Sequence, residues 1–126
     1  RLHLDTEGVP WDRTPGDAFG ASLAAGDFDR DGRDDLAVGI PGRASGANAA
    51  AGAVMVFSGQ NGGVSTSGAT TFAQGVNGLP DVAEMDDRFG AVLAAGDFNG
   101  DRLEDLAIAS PGETAGTNTA AVNLHV

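Results

Sequence analysis

Cysteine, lysine and tyrosine are all missing from this 126-residue chain, and aromatic residues of any kind make up only 6% of it. Without cysteine there is no disulfide framework and no thiolate metal site, so whatever staples the fold is something else. Without lysine, seven arginines face 18 acids and the net charge is −11. A polyanion of this kind excludes unassisted binding to nucleic acid or to an anionic membrane surface, and suits a protein that binds cations. The longest apolar runs are a handful of residues, so membrane insertion is not expected. Large side chains are scarce while glycine fills 20 positions, which weakens helices. The core is therefore expected to be thin layers of small residues between stacked sheets. The length suits one ordinary domain. The chain starts at Arg1 and carries no signal peptide, which reads as a processed product or an excised piece.

What is present is a repeat. An offset of 70 residues aligns Phe19–Phe28 with Phe89–Phe98 and continues through Asp31, Asp35 and Pro41-Gly42 onto Asp101, Asp105 and Pro111-Gly112. Between 17 and 42 there are 16 identities in 26 positions, far beyond chance. Gly8, Pro10 and Asp17 fall on Gly78, Pro80 and Asp87. Arg1–Thr6 thereby matches the last strand of the first unit, near 70–76, and the second unit stops at Val126 where its own last strand is due. The units read as 1–6, an offset outer strand; 7–76, a first unit; and 77–126, a second unit lacking its final strand.

Strands are expected near 1–6, 20–26, 35–40, 52–58, 69–74, 90–96, 105–109 and 120–126. Ala53–Phe57 and Ala121–His125 carry the β-branched, alternating pattern of half-buried strands. Asn61-Gly62-Gly63 and Asn77-Gly78 punctuate the intervals. Ala21–Ala25 lies between Gly20 and Gly26, too short a stretch for two helical turns, and is read as strand.

Between the first two strands of each unit the acids gather. Asp27, Asp29, Asp31 and Asp35 occupy positions 1, 3, 5 and 9 of one loop; Asp97, Asn99, Asp101 and Asp105 occupy them in the other. Oxygens two residues apart on a curled loop converge on a point, and a hard cation such as Ca²⁺ takes six to eight of them at about 2.3–2.6 Å. The backbone carbonyls of Arg33 and Leu103, at position 7, would add one ligand each. One Ca²⁺ per loop, two per chain, is expected. An EF-hand is excluded, because position 12 is Val38 or Ile108 where a bidentate Glu is required. Asp29 is replaced by a neutral Asn99 in the second loop, and Gly32 by Arg102, so weaker affinity is expected there. Asp34 and Glu104 are read as pointing to solvent. Left without a cation, five acids in nine residues would repel strongly.

Phe19-Gly20 followed by Gly39-Ile40-Pro41, with the acidic loop between, resembles the FG-GAP repeat of integrin α-subunit β-propellers; Phe89-Gly90 and Ala109-Ser110-Pro111 form a looser second copy. The resemblance covers nearly the whole chain. It implies an all-β fold: a β-propeller with two four-stranded blades per chain, and Ca²⁺ in the loop joining the first two strands of each. Phe19 and Phe89 would then anchor blade to blade, Leu23, Leu93, Leu36 and Leu106 would lie in the core, and Phe28 and Phe98 would fold back under their loops. The lysine-free, Ala/Gly/Arg-rich composition points to a high-GC bacterial member.

Propellers have four to eight blades, and two leave both faces open. The offset strand 1–6 is therefore expected to complete a blade of a neighbouring chain, giving a head-to-tail homo-oligomer, a trimer of six blades before a tetramer of eight. The rival is a fragment of a larger secreted propeller protein. The function expected is a secreted or extracellular, non-enzymatic calcium-binding module for adhesion or interaction with a protein or glycan ligand. The alternative is a propeller lectin using Trp11 as a sugar platform. His3 and His125 are weak candidates for a transition-metal pair, and no nucleophile motif speaks for catalysis.

Overall fold

A computed structural model describes residues 16–45, 47–66, 69–73, 85–111 and the backbone of 122–124. The expectations for strand 1–6, Trp11, His3 and His125 lie outside these residues. Within them every regular element is a β-strand, and no helix is long and apolar enough to cross a membrane.

The first sheet has the order β1-β2-β3-β6: Ser22–Gly26, Asp35–Ile40, Ala53–Phe57 and Thr70–Phe72, all antiparallel. A two-residue hairpin, β4 (Gly59–Gln60) with β5 (Gly63–Val64), projects from the end of β3. The second sheet, β7-β8-β9, comprises Val92–Gly96, Asp105–Ala109 and Val122–Leu124. The register repeats: Ser22 pairs with Gly39 and Gly26 with Asp35, as Val92 pairs with Ala109 and Gly96 with Asp105.

Alternation along these strands gives each sheet a small face and a large one. In the first sheet, Ser22, Ala24, Ala37 and Gly39 share a face with Val54, Val56 and Phe72, while Leu36, Val38, Met55 and Phe57 occupy the other. In the second, Leu93, Ala95, Leu106 and Ile108 lie on the large face. The sheets stack with the large face of the second on the small face of the first, and Ala37, Val54, Val56, Phe72, Leu106 and Ile108 form one buried cluster with Phe28 and Phe89. This stacking explains the scarcity of large side chains, since alanine and glycine on one face make room for leucine and isoleucine from the next. Val38, Ile40, Met55 and Phe57 form a second cluster on the far side, flanked by Phe19, Leu36 and Val64.

The repeat does not give equal burial to equal residues. Phe89 is fully buried between the sheets, whereas Phe19 is half-buried. Phe28 is 1% exposed and Phe98 is 51% exposed. Leu93 packs against the shared cluster; Leu23 is 59% exposed. The expected core places of Leu23 and Phe98 are thus corrected. Each lies away from the shared cluster, which its repeat mate joins because that mate faces the other sheet, Phe28 fully buried and Leu93 half-buried.

The asymmetry makes a direct prediction. Phe28→Ala should destabilise the chain by about 3–5 kcal/mol through lost burial and a residual cavity, and Phe98→Ala by less than about 1 kcal/mol. Urea unfolding followed by circular dichroism measures both.

Candidate metal centre

Each acidic loop joins the first two strands of its sheet, and one buried carboxylate holds it in shape. Asp35, at the start of β2, accepts hydrogen bonds at Oδ2 from the N–H groups of Phe28 (2.9 Å) and Asp29 (3.2 Å). Its Oδ1 accepts from Gly59 N–H at 2.8 Å, tying the loop to the exit of β3. Asp105 accepts likewise from Phe98 N–H at 3.0 Å. Asp27 caps the turn from its other end, accepting from Asp31 N–H (3.0 Å) and Gly32 N–H (2.8 Å). Asp97 does the same for Gly100 N–H (2.8 Å) and Arg102 N–H (2.7 Å). These are the side-chain-to-backbone bonds by which aspartate competes with regular structure.

The result is two triplets of carboxylates. One oxygen each from Asp27, Asp29 and Asp35 lie within 4.8 Å of one another, and so do oxygens of Asp97, Asp101 and Asp105. Two oxygens bound to one Ca²⁺ at about 2.4 Å can be at most about 4.8 Å apart, so both triplets fit a single ion of that size. The donors are all oxygen, which suits a hard cation. Of the other expected ligands, Asp31 stands outside the first triplet; its Oδ1 accepts from Arg33 N–H at 2.8 Å, the same bond that Asp101 Oδ1 makes with Leu103 N–H at 2.9 Å, and its Oδ2 lies 3.9 Å from the Arg33 guanidinium. Asn99 Oδ1 accepts from Asp101 N–H at 3.1 Å, as Asp29 Oδ1 does from Asp31 N–H at 3.2 Å. The aspartate-to-asparagine exchange between the loops therefore leaves the turn unchanged and removes one charge.

The two loops also trade a glycine. Positions 4 and 6 are left-handed in both: Arg30 (φ 65°) and Gly32 (φ 87°) in the first, Gly100 (φ 80°) and Arg102 (φ 68°) in the second. Each loop thus bears one strained arginine and one glycine, in opposite order, so Gly100 does not spare Arg102 its strain.

In the first loop, partial desolvation by the curled backbone, helped by the charges of Asp35 and Asp31, pushes the Asp29 carboxyl above its ordinary value. Glu104 is exposed, as expected, but its carboxylate crowds the Cα of Gly26 on the first sheet, where a Cβ would overlap it. Sequence reasoning gave no role to Asp17, which is buried and pairs with Arg43 at 2.9 Å while its backbone carbonyl accepts from Gly42 N–H. The recurrence of this acid as the buried Asp87 was the available signal.

Two small antiparallel sheets, stacked face to face and each carrying an oxygen-rich turn between its first two strands, define a propeller-type repeat. The chain belongs to the FG-GAP repeat family, whose model matches residues 19–57 and 89–124. It is similar to the phosphatidylinositol-glycan-specific phospholipase D of mouse, 37% identical over 87% of this chain and 12% of that protein. The human enzyme of that name is 39% identical over 77% of this chain and 11% of its own length. The rat enzyme is 31% identical over 96% and 14%. The chain thus spans about an eighth of the relatives it matches. Two expectations are corrected here. The relatives are mammalian and give no support to a bacterial source, and all three are named for an enzymatic activity, which overturns the non-enzymatic reading.

Replacing either strained arginine by glycine, Arg30→Gly or Arg102→Gly, should stabilise the chain by about 1 kcal/mol, read as a rise in thermal midpoint. A pH test follows from Asp29. The folded chain holds its proton more tightly than the unfolded chain does, so its favourable contribution is present at acid pH and is lost as pH rises through the raised value. In chelator, Asp29→Asn should therefore raise the melting temperature at pH 7, with the gain narrowing toward acid pH.

Proposed function

We propose that this chain is a calcium-pinned pair of propeller blades within a larger extracellular protein related to the phosphatidylinositol-glycan-specific phospholipases D. The observation that carries the calcium reading is a carboxylate triplet on each of two repeat-equivalent turns, Asp27/Asp29/Asp35 and Asp97/Asp101/Asp105. The observation that favours a larger protein over a free-standing ring is the length of the relatives.

In this reading Asp27, Asp29 and Asp35 hold one Ca²⁺, with Asp31 and the Arg33 carbonyl as further ligands. Asp97, Asp101 and Asp105 hold the second, with Asn99 and the Leu103 carbonyl. The ion neutralises the crowded acids and fixes the turn from which two strands depart. In a chain without cysteine it does the work of a disulfide. Extracellular calcium modules bind at about 10⁻⁴–10⁻³ M, which suits an environment where the ion is abundant. The enzymatic activity belongs to the relatives by name, and in this reading the calcium-pinned blades are part of such an enzyme.

Isothermal titration of EDTA-stripped protein with CaCl₂ tests the reading. Two sites are expected, the first loop binding more tightly than the second, and at ten times Kd each should add roughly 1.4 kcal/mol of stability. Asp35→Ala should abolish one site and leave the other. Absence of both heat and a melting shift would overturn the assignment.

A further inference from the structure

The two blades meet along a seam where backbone touches backbone. Phe89 N–H donates to Ala51 O and Arg88 N–H to Ala50 O, both at 2.9 Å. Ser22 Oγ donates to Gly90 O at 2.6 Å. Gly39, paired across the strands with Ser22, has no room for a side chain: a Cβ there would overlap both the Gly90 carbonyl oxygen and the Ser22 hydroxyl. Gly52 is closed in the same way by the Phe89 backbone. Gly90 itself is left-handed, and a Cβ on it would lie 2.6 Å from Ala53 O and 2.9 Å from Val54 Cγ2. The first blade thus offers a seat, the Ser22–Gly39 pair, and the second offers a knob, Phe89-Gly90 with Leu93 beside it.

Both parts recur at the outer faces, but unequally. Phe19-Gly20 repeats the knob. Gly20 is likewise left-handed, with a φ of 84°, and among the described residues nothing lies within 4 Å of where a Cβ would be; Leu23 beside it is largely exposed. The seat recurs as the pair Val92–Ala109, in the same register. Val92 has no hydroxyl to donate, and Ala109 carries the methyl for which Gly39 leaves no space. One end of the chain therefore presents an open, competent knob and the other a closed seat.

We infer that the Phe19–Leu23 face docks onto another FG-GAP-type blade that carries a hydroxyl residue and glycine at the two seam positions, and not onto a second copy of this chain. The inference rests on the reading of this chain as blades of a longer propeller, and it extends a contact already present between the two blades. A ring of identical chains would require Val92–Ala109 to accept Gly20, which the Ala109 methyl opposes.

The test is a gain of association. Sedimentation velocity in calcium buffer should find the 126-residue chain monomeric across the micromolar range. V92S/A109G, which rebuilds the seat, should self-associate head to tail at least tenfold more tightly, and Leu23→Asp added to it should restore the monomer. Wild-type chain that associates as tightly as V92S/A109G overturns the inference, as does a folded V92S/A109G that stays monomeric. Should V92S/A109G not fold, Ala109→Gly alone is read by the same criteria. Because none of the triplet carboxylates takes part in the seam contacts described, the comparison of variants can be repeated in chelator, which separates its failure from failure of the calcium assignment.

Discussion

The buried carboxylate at the start of the second strand of each sheet is the constraint from which the rest follows. Asp35 gathers the N–H groups of Phe28, Asp29 and Gly59, which belong to the loop and to the exit of β3. Burying an ionised carboxylate is costly unless hydrogen bonds replace its water, and here the backbone supplies them. Once Asp35 is held, the turn between β1 and β2 has one path, and that path brings Asp27 and Asp29 to it. The acids converge because the backbone is wrapped round one of them. Asp105 repeats the device with the Phe98 N–H.

A charge cluster built this way is a spring held by hydrogen bonds. Asp27, Asp29, Asp31 and Asp35 each accept from a backbone N–H, which offsets part of the repulsion among them. Desolvation, with a smaller contribution from the charges of Asp35 and Asp31, still pushes the Asp29 carboxyl above its ordinary value. A divalent cation at the convergence point would turn the repulsion into attraction, so a loop that is uncomfortable alone becomes rigid when loaded. The second loop, with Asn99 in place of an acid, trades some of that gain for a less strained empty state.

Stacking rests on a different economy. Small residues on one face and large ones on the other let adjacent sheets approach until backbones touch, as Gly39, Gly52 and Gly90 show. The same design makes each interface specific to its sequence, because one methyl group at a touching point is enough to change it. Repeats related by 16 identities in 26 positions can therefore differ at the single pair that governs which faces adjoin.

Much of this was legible in the chain itself. The 70-residue offset, the acids at alternate positions and the strand periods gave the repeat, the turn and the order of strands, because these depend on local spacing and backbone geometry. Covalent neighbours do not report which face of a strand meets another sheet. Phe28 and Phe98 stand at the same place in the motif, yet one is buried and the other exposed. Leu93 is half-buried against the shared cluster, while Leu23 is largely exposed. Nor did spacing alone reveal that Asp31 stands outside its triplet while Asp101 joins the other, or that Gly39 is needed for contact with Gly90. Local sequence determined the hairpins and their acids; only the packing of one sheet on the next decided burial and fit, since those depend on atoms 70 residues away.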